Sequence, residues 1–260
     1  MLKKYIYITI LIYLFVLLGI ILQHKIRETF NYNKKDVILV HVGKSGGSTI
    51  KEHFKFKSFH HRKAIFYPEK KYIISIRHPI KRFVSAYNMS NSLIKYNKLG
   101  VSDSKALIRY KKDGYYYSKK YDNDFKKFNS LNDLCEQIFT SNVAFSLVNS
   151  LAPHQHLGKN MSWYLDNGEF IKKYHENIIY VTKQETLNDD INAISNILGL
   201  SVKNIKNRRV KLNKDVYLSS LAINNLHKLY ENTEYKTLKT LYDYNFIDKN
   251  YLDYCYTYTI

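Results

Sequence analysis

Two short segments of this chain carry residue types that bind anions. The first is Val42-Gly43-Lys44-Ser45-Gly46-Gly47-Ser48-Thr49, which follows the apolar run Val37-Ile38-Leu39-Val40-His41 and leads into Ile50-Lys51-Glu52-His53-Phe54. A buried strand that breaks into a Gly/Ser/Thr loop and then opens a helix makes an anion cradle. Its backbone N–H groups and the positive end of the helix dipole face the ligand, hydroxyls add donors, and a lysine adds a point charge. The candidates are therefore Lys44, Ser45, Gly46, Gly47, Ser48 and Thr49. A nucleoside-triphosphate loop of the form G-x-x-x-x-G-K-[ST] is excluded: ended at Gly43-Lys44-Ser45, it would need its first glycine at Ile38, inside the strand.

The second segment is Ile74-Ser75-Ile76-Arg77-His78-Pro79-Ile80-Lys81-Arg82-Phe83-Val84-Ser85-Ala86-Tyr87. It places an arginine at the end of a buried strand and a serine on the helix that follows, both suited to one phosphate at the carboxyl edge of a parallel sheet. Arg77 offers a planar bidentate fork and Ser85 a hydroxyl. Arginine is sparse, seven residues against 34 lysines, yet Arg62, Arg77, Arg82, Arg208 and Arg209 all fall in segments assigned to the site.

The elements that must position these groups alternate. Residues 36–42, 71–76 and 178–182 read as buried parallel strands. A helix starts at 50–54, and Pro79 opens another through about Asn91. Ser130 N-caps a helix to about Ser150, with Leu131, Leu134, Cys135, Ile138 and Phe139 on one face. Leu187, Ile191, Ile194 and Leu198 mark a helix closed by Gly199, and residues 216–244 read as helical. Residues 95–127 hold ten Lys/Arg against four Asp with no clear period, and read as a mobile basic excursion over the site. The alternation predicts an α/β fold, a parallel sheet flanked by helices in three layers.

Composition bounds the class. Nine Gly and three Pro in 260 residues exclude collagen-like and Pro-rich chains, and two Cys exclude a disulfide scaffold or a four-thiolate zinc site. The net charge is +19, and setting aside Lys3, Lys4, Lys25 and Arg27 leaves +15 on residues 28–260. Such a field suits an anionic partner, although a Lys-, Asn- and Tyr-rich bias is also what an AT-rich coding sequence produces.

Residues 5–22 are uncharged and, as a helix, would span about 27 Å, close to a bilayer core. No small-residue cleavage site follows, so the expectation is a signal-anchor in residues 1–27, a stem in 28–36 and one catalytic domain in 37–260. The flanking charges tie, Lys3 and Lys4 against Lys25 and Arg27, and the first three residues are too few for a domain, so the catalytic part lies C-terminal in either orientation; the expectation is a type II membrane protein of the Golgi with a lumenal domain. That compartment would permit a Cys135–Cys255 disulfide. Of the sequons at Asn88 and Asn160, only Asn160 is expected to be open to a glycan.

Together the two anion-binding segments resemble the sulfotransferase superfamily, and specifically its membrane-anchored carbohydrate sulfotransferases. Residues 42–49 look like that family's loop for the 5′-phosphosulfate of PAPS (3′-phosphoadenosine 5′-phosphosulfate). Residues 76–87 look like its 3′-phosphate motif, R-x-P-x-x-R-x-x-S-x-Y, and the stretch from Leu218 to Tyr251, with Glu234-Tyr235-Lys236, is similar at lower specificity. Gly43 stands where the family often has Pro, and Gly47 lacks a common hydroxyl.

The resemblance implies a P-loop-NTPase-like sulfotransferase fold and in-line transfer of a sulfuryl group from PAPS to a carbohydrate hydroxyl, without a metal. It implies Lys44 as the group neutralising the transferring charge, and Arg208-Arg209 as a basic loop closing on the 3′-phosphate. It also points to a histidine base in the interval holding His60-His61. His61 is the first choice, His60 the alternate, and His154 and His156 the next candidates; His78 reads as structural. Lys and Tyr residues within 95–127 would face an acidic glycan. The competing readings are a membrane-tethered glycan binder without catalysis, and a nucleotide-dependent kinase. No nucleic-acid recognition motif is present.

Overall fold

The structure is a computed structural model that describes residues 32–60, 62–98, 119–151, 156–201 and 216–257. Its centre is a four-stranded sheet formed by β1 (Val37–His41), β2 (Lys57–His60), β3 (Lys71–Ile76) and β4 (Ile178–Lys183) in the order β2-β1-β3-β4. Every pairing is parallel. All four carboxyl ends therefore lie on one edge, where α/β proteins bind ligands.

The strands expected at 36–42, 71–76 and 178–182 are β1, β3 and β4. The β1 residues are buried throughout, because helices cover both faces of the sheet. On one face α1 (Gly47–Phe54) and α8 (Leu187–Ile197) bury Ile50, Phe54, Ile191 and Ile194 against Val37, Leu39 and Ile73. On the other, Ile38, Val40, Tyr72, Ile74 and Ile76 meet α2 (Pro79–Lys98) through Ile80 and Phe83. The expected three layers are thus present.

β2 has no apolar run to announce it. Lys57-Ser58-Phe59-His60 contributes one large apolar residue, because an edge strand pairs on one side only. The helix expected from Ser130 to Ser150 is two helices, α4 (Leu131–Glu136) and α5 (Asn142–Val148). Ser130 caps α4 as expected, but Ser141 starts a second helix by accepting a bond from the Ala144 N–H. The turn between them rotates Phe139 out to 42% exposure, under the Lys228 ammonium, rather than into the core.

The described ends of the basic segment 95–127 are partly helical. Residues 95–98 continue α2, and α3 (Lys119–Phe125) buries Tyr121 and Phe125, four residues apart on one helical face. Its middle, 99–118, lies outside the described residues. So do the apolar stretch 5–22, His61, His154, Arg208 and Arg209. Among the described residues no helix is long and apolar enough to cross a membrane.

Two short helices, α6 (Met161–Tyr164) and α7 (Glu169–Tyr174), precede β4. The helical reading of 216–244 resolves into α9 (Ser220–Tyr230) and α10 (Glu234–Asp243), and α11 (Lys249–Tyr256) follows. At the sequon expected to carry a glycan, both polar residues serve the fold. The Asn160 side chain accepts from the Trp163 N–H as the cap of α6, and Ser162 of the same sequon is buried, its hydroxyl 2.7 Å from Thr237 Oγ1. Cys135 and Cys255 are both buried free thiols, so the permitted disulfide is not formed.

Candidate functional site

The loop between β1 and α1 is anchored from below. Ser45 is buried, and its hydroxyl lies 2.6 Å from the Val42 carbonyl, 2.9 Å from the Ser75 carbonyl and 2.8 Å from Ser75 Oγ. Although expected to serve a ligand, this hydroxyl stitches the loop to β3. Lys44 adopts a left-handed backbone (φ 73°), a conformation that costs a non-glycine residue about 1 kcal/mol or more and persists where surroundings enforce it. One enforcing contact is Arg77, whose Nη1 donates to the Lys44 carbonyl at 3.3 Å.

The loop then opens α1. Gly46 is the cap residue (φ 81°) and supplies no side-chain hydrogen bond to the first turn. Of the N–H groups in that turn, that of Thr49 donates to the Gly46 carbonyl at 2.9 Å, while those of Gly47 and Ser48 have no acceptor among the described residues and lie at the positive end of the helix. Gly47 is required by close approach: a Cβ there would stand 2.2 Å from the His41 ring. Ser48 is exposed and Thr49 half-buried, so both hydroxyls are at the loop surface.

The second segment meets the first across the sheet edge. Ser85 and Met89 are one turn apart on α2, and Lys44 Nζ lies 3.5 Å from Met89 Sδ. Lys44 therefore extends along the α2 face that carries Ser85. Arg77 keeps its Nε buried without a hydrogen-bond partner. Burial pulls its pKa down, and Glu185 opposes that shift; an arginine remains charged regardless. Thus Lys44, Arg77 and Ser85, distant in sequence, are brought to one region at the carboxyl edge of the sheet.

Arg82 behaves differently. It is 1% exposed, donates to the His156 carbonyl at 2.7 Å and the Leu157 carbonyl at 3.1 Å, and its Nε is 3.5 Å from Glu234 Oε1. Although it lies in the second anion-binding segment of the sequence, the helix turns it inward, where Glu234 offsets a charge otherwise costly to bury. Glu234 in turn accepts from the Ser162 N–H at the start of α6. The pair holds two groups beside the loop, since a Cβ on Gly43 would meet His156 Nδ1 at 2.4 Å and Tyr164 Oη at 3.3 Å.

Of the histidines, His60 ends β2 opposite His41, which brings its backbone to the same carboxyl edge. His156 is buried beside Gly43. His78 is structural: Nδ1 accepts from the Ile80 N–H at 3.2 Å and Nε2 faces the Thr257 carbonyl at 3.3 Å. Burial lowers its pKa to about 4.

Sequence reasoning passed over Glu185. Its carboxylate accepts from the His78 N–H at 3.1 Å and from Tyr251 Oη at 3.1 Å, at the turn leaving β4. Position after a parallel strand was the available signal, the same one that identified Arg77. Among the described residues no group of three or more His, Cys, Asp or Glu is arranged to hold a metal.

The profile of a family described as Sulfotransferase family matches residues 52–255. That span includes Arg77, Ser85 and Glu234 and begins within α1, after the Lys44 loop. No curated protein and no solved structure gives a significant match.

Proposed function

The chain belongs to the sulfotransferase family, a sulfuryl-transferring class of enzyme, and on that premise we propose that it uses PAPS to sulfate a hydroxyl of a carbohydrate. The observation that carries the donor assignment is the Arg77–Lys44 contact at 3.3 Å, with Arg77 Nε buried and unpartnered. It supports one ligand with two separate anionic groups, one at the α1 loop and one at Arg77 and Ser85. PAPS supplies the sulfuryl group when bound.

In this reading the first-turn N–H groups of α1, with Ser48 and Thr49, hold the 5′ end, and Lys44 neutralises the charge that grows during transfer. Arg77 and Ser85 hold the 3′-phosphate, joined by Arg208 and Arg209. His61, with His60 as alternate, removes the acceptor proton. The reading also retains the signal-anchor at residues 5–22 and a Golgi lumenal domain, supported by the uncharged 18-residue run.

Calorimetry of the full chain with PAP, and with ATP as control, tests the donor site. The expected result is PAP binding that ATP does not match, together with PAPS-dependent sulfation of a glycan. A folded protein indifferent to PAP would overturn the donor assignment, and PAP binding without turnover on any sugar would favour the non-catalytic glycan binder.

A further inference from the structure

The outer stripe of α2 carries a cation that the motif R-x-P-x-x-R-x-x-S-x-Y leaves unspecified. Lys81 lies between Arg77 and Ser85. It stands one turn before Ser85, which stands one turn before Met89, and all three are half-buried, whereas Arg82, Phe83, Ala86 and Tyr87 of the same helix are buried. Lys44 meets this stripe at Met89. Lys81 is at its other end, in the helical turn that follows Arg77.

The Lys81 side chain is held in place. Its Nζ donates to Tyr254 Oη of α11 at 2.6 Å and lies 5.0 Å from the centre of that ring. Tyr254 also stands edge-on to His78, with ring centres 5.0 Å apart, and is close enough to Arg77 to act on its charge. One tyrosine thus links Lys81 to the surroundings of Arg77. An ammonium has three donors and Tyr254 takes one, so two remain. Among the described residues Lys81 enters no ion pair. Glu185, the acid that acts on Arg77, accepts from the His78 N–H and from Tyr251 Oη.

The position of this charge is unfavourable by itself. Lys81 is the third residue of α2, whose first turn contains no acid. The positive end of a helix dipole favours Asp or Glu there and disfavours a cation, and Arg77 adds like-charge repulsion. A phosphate monoester reverses both effects. Arg77, Lys81 and Ser85 then offer it a planar fork, a point charge and a hydroxyl.

We propose that Lys81 is a third binding residue for the phosphate monoester assigned to Arg77 and Ser85, and that Tyr254 of α11 is its positioning residue. The proposal rests on the PAPS-donor reading and adds to it a cation outside the motif and a role for the helix that packs over it.

The test is calorimetry of the full chain with PAP and with adenosine 5′-phosphate, which lacks the 3′-phosphate. Lys81→Met, Lys81→Arg and Tyr254→Phe are compared with the unsubstituted protein, with thermal unfolding as the control for folding. Lys81→Met should weaken PAP about 10-fold and change adenosine 5′-phosphate by less than about twofold, so the ratio of the two affinities falls. It should also flatten the salt dependence of PAP binding. Lys81→Arg keeps the charge and should restore most of the ratio. Tyr254→Phe keeps the ring and removes the hydrogen bond, and should cost about threefold in PAP affinity. If Lys81 only fastens α11, Lys81→Met lowers thermal stability and leaves the ratio unchanged; that result overturns the proposal and leaves the donor reading standing. An unchanged ratio in Tyr254→Phe overturns the positioning role. Equal affinity of the unsubstituted protein for the two nucleotides overturns the donor reading and the proposal with it.

Discussion

Two helices begin at the same sheet edge and end their chains' approach to it in opposite ways. After β1, the first turn of α1 starts at Gly46 with no side-chain cap. After β3, His78 turns its ring back onto the first turn of α2, accepting from the Ile80 N–H at 3.2 Å and more weakly from Lys81 at 3.5 Å. Pro79, at the first helical position, has no N–H to satisfy. The α1 turn leaves the Gly47 and Ser48 N–H groups without an acceptor among the described residues, Thr49 donating to the Gly46 carbonyl at 2.9 Å, whereas the α2 turn is satisfied by its own chain. In the proposed reading, anion binding at the second helix then falls to side chains, Arg77 and Ser85. A strand–loop–helix pattern alone does not make a phosphate site; its donors must also be spared by the protein.

The largest test of this contrast is Lys44→Met, which removes the point charge at the open turn and keeps an aliphatic stem. Loss of transition-state stabilisation should lower kcat by about 10²–10³-fold in a PAPS-dependent assay, with a smaller effect on PAP affinity. An unchanged kcat would assign the charge stabilisation to another group.

The closed turn should reveal itself through pH. The His78 pKa is lowered to about 4 in the folded protein, so the ring stays neutral there while the unfolded chain takes up a proton below about 6.5. The unfolded state binds more protons in that window, so stability falls as pH drops from 6.5 to 4, by on the order of 3 kcal/mol from this residue. Urea unfolding across the window should show the decline, and His78→Asn should flatten it.

Smaller effects sharpen the side-chain half of the comparison. Arg77→Ala should weaken PAP binding about 10- to 100-fold, the usual loss for a charge-assisted hydrogen bond, while ATP binding changes little. Arg77→Lys should recover only part, because an ammonium lacks the fork. Ser85→Ala should cost about fivefold in PAP affinity, measured in the same titration. Equal sensitivity of ATP to Arg77→Ala would show that this arginine does not read a 3′-phosphate.

Much of this was legible in the residues. Three strands announced themselves as β-branched buried runs, and Lys44, Arg77 and Ser85 by their places after strands. β2 was not legible, because an edge strand needs only Phe59 as its apolar anchor. Arg77 and Arg82, five residues apart in one motif, look equivalent on paper. The turn from strand to helix sends one to the Lys44 carbonyl and the other to Glu234, more than 150 positions along the chain. Ser45 illustrates the same limit, as a loop hydroxyl spent on β3.

The sequence by itself determined the α/β class, the anion-binding residue types and the sulfotransferase resemblance, because these depend on local periodicity and short spacing. Only the tertiary structure decided which donors remain open. Hydrogen bonding is exclusive, and besides local contacts the partners that occupy Ser45, His78 and Arg82 include Ser75, Thr257, Leu157 and Glu234, remote in the chain. The same packing leaves the first turn of α1 uncapped by any side chain and Arg77 Nε without a partner.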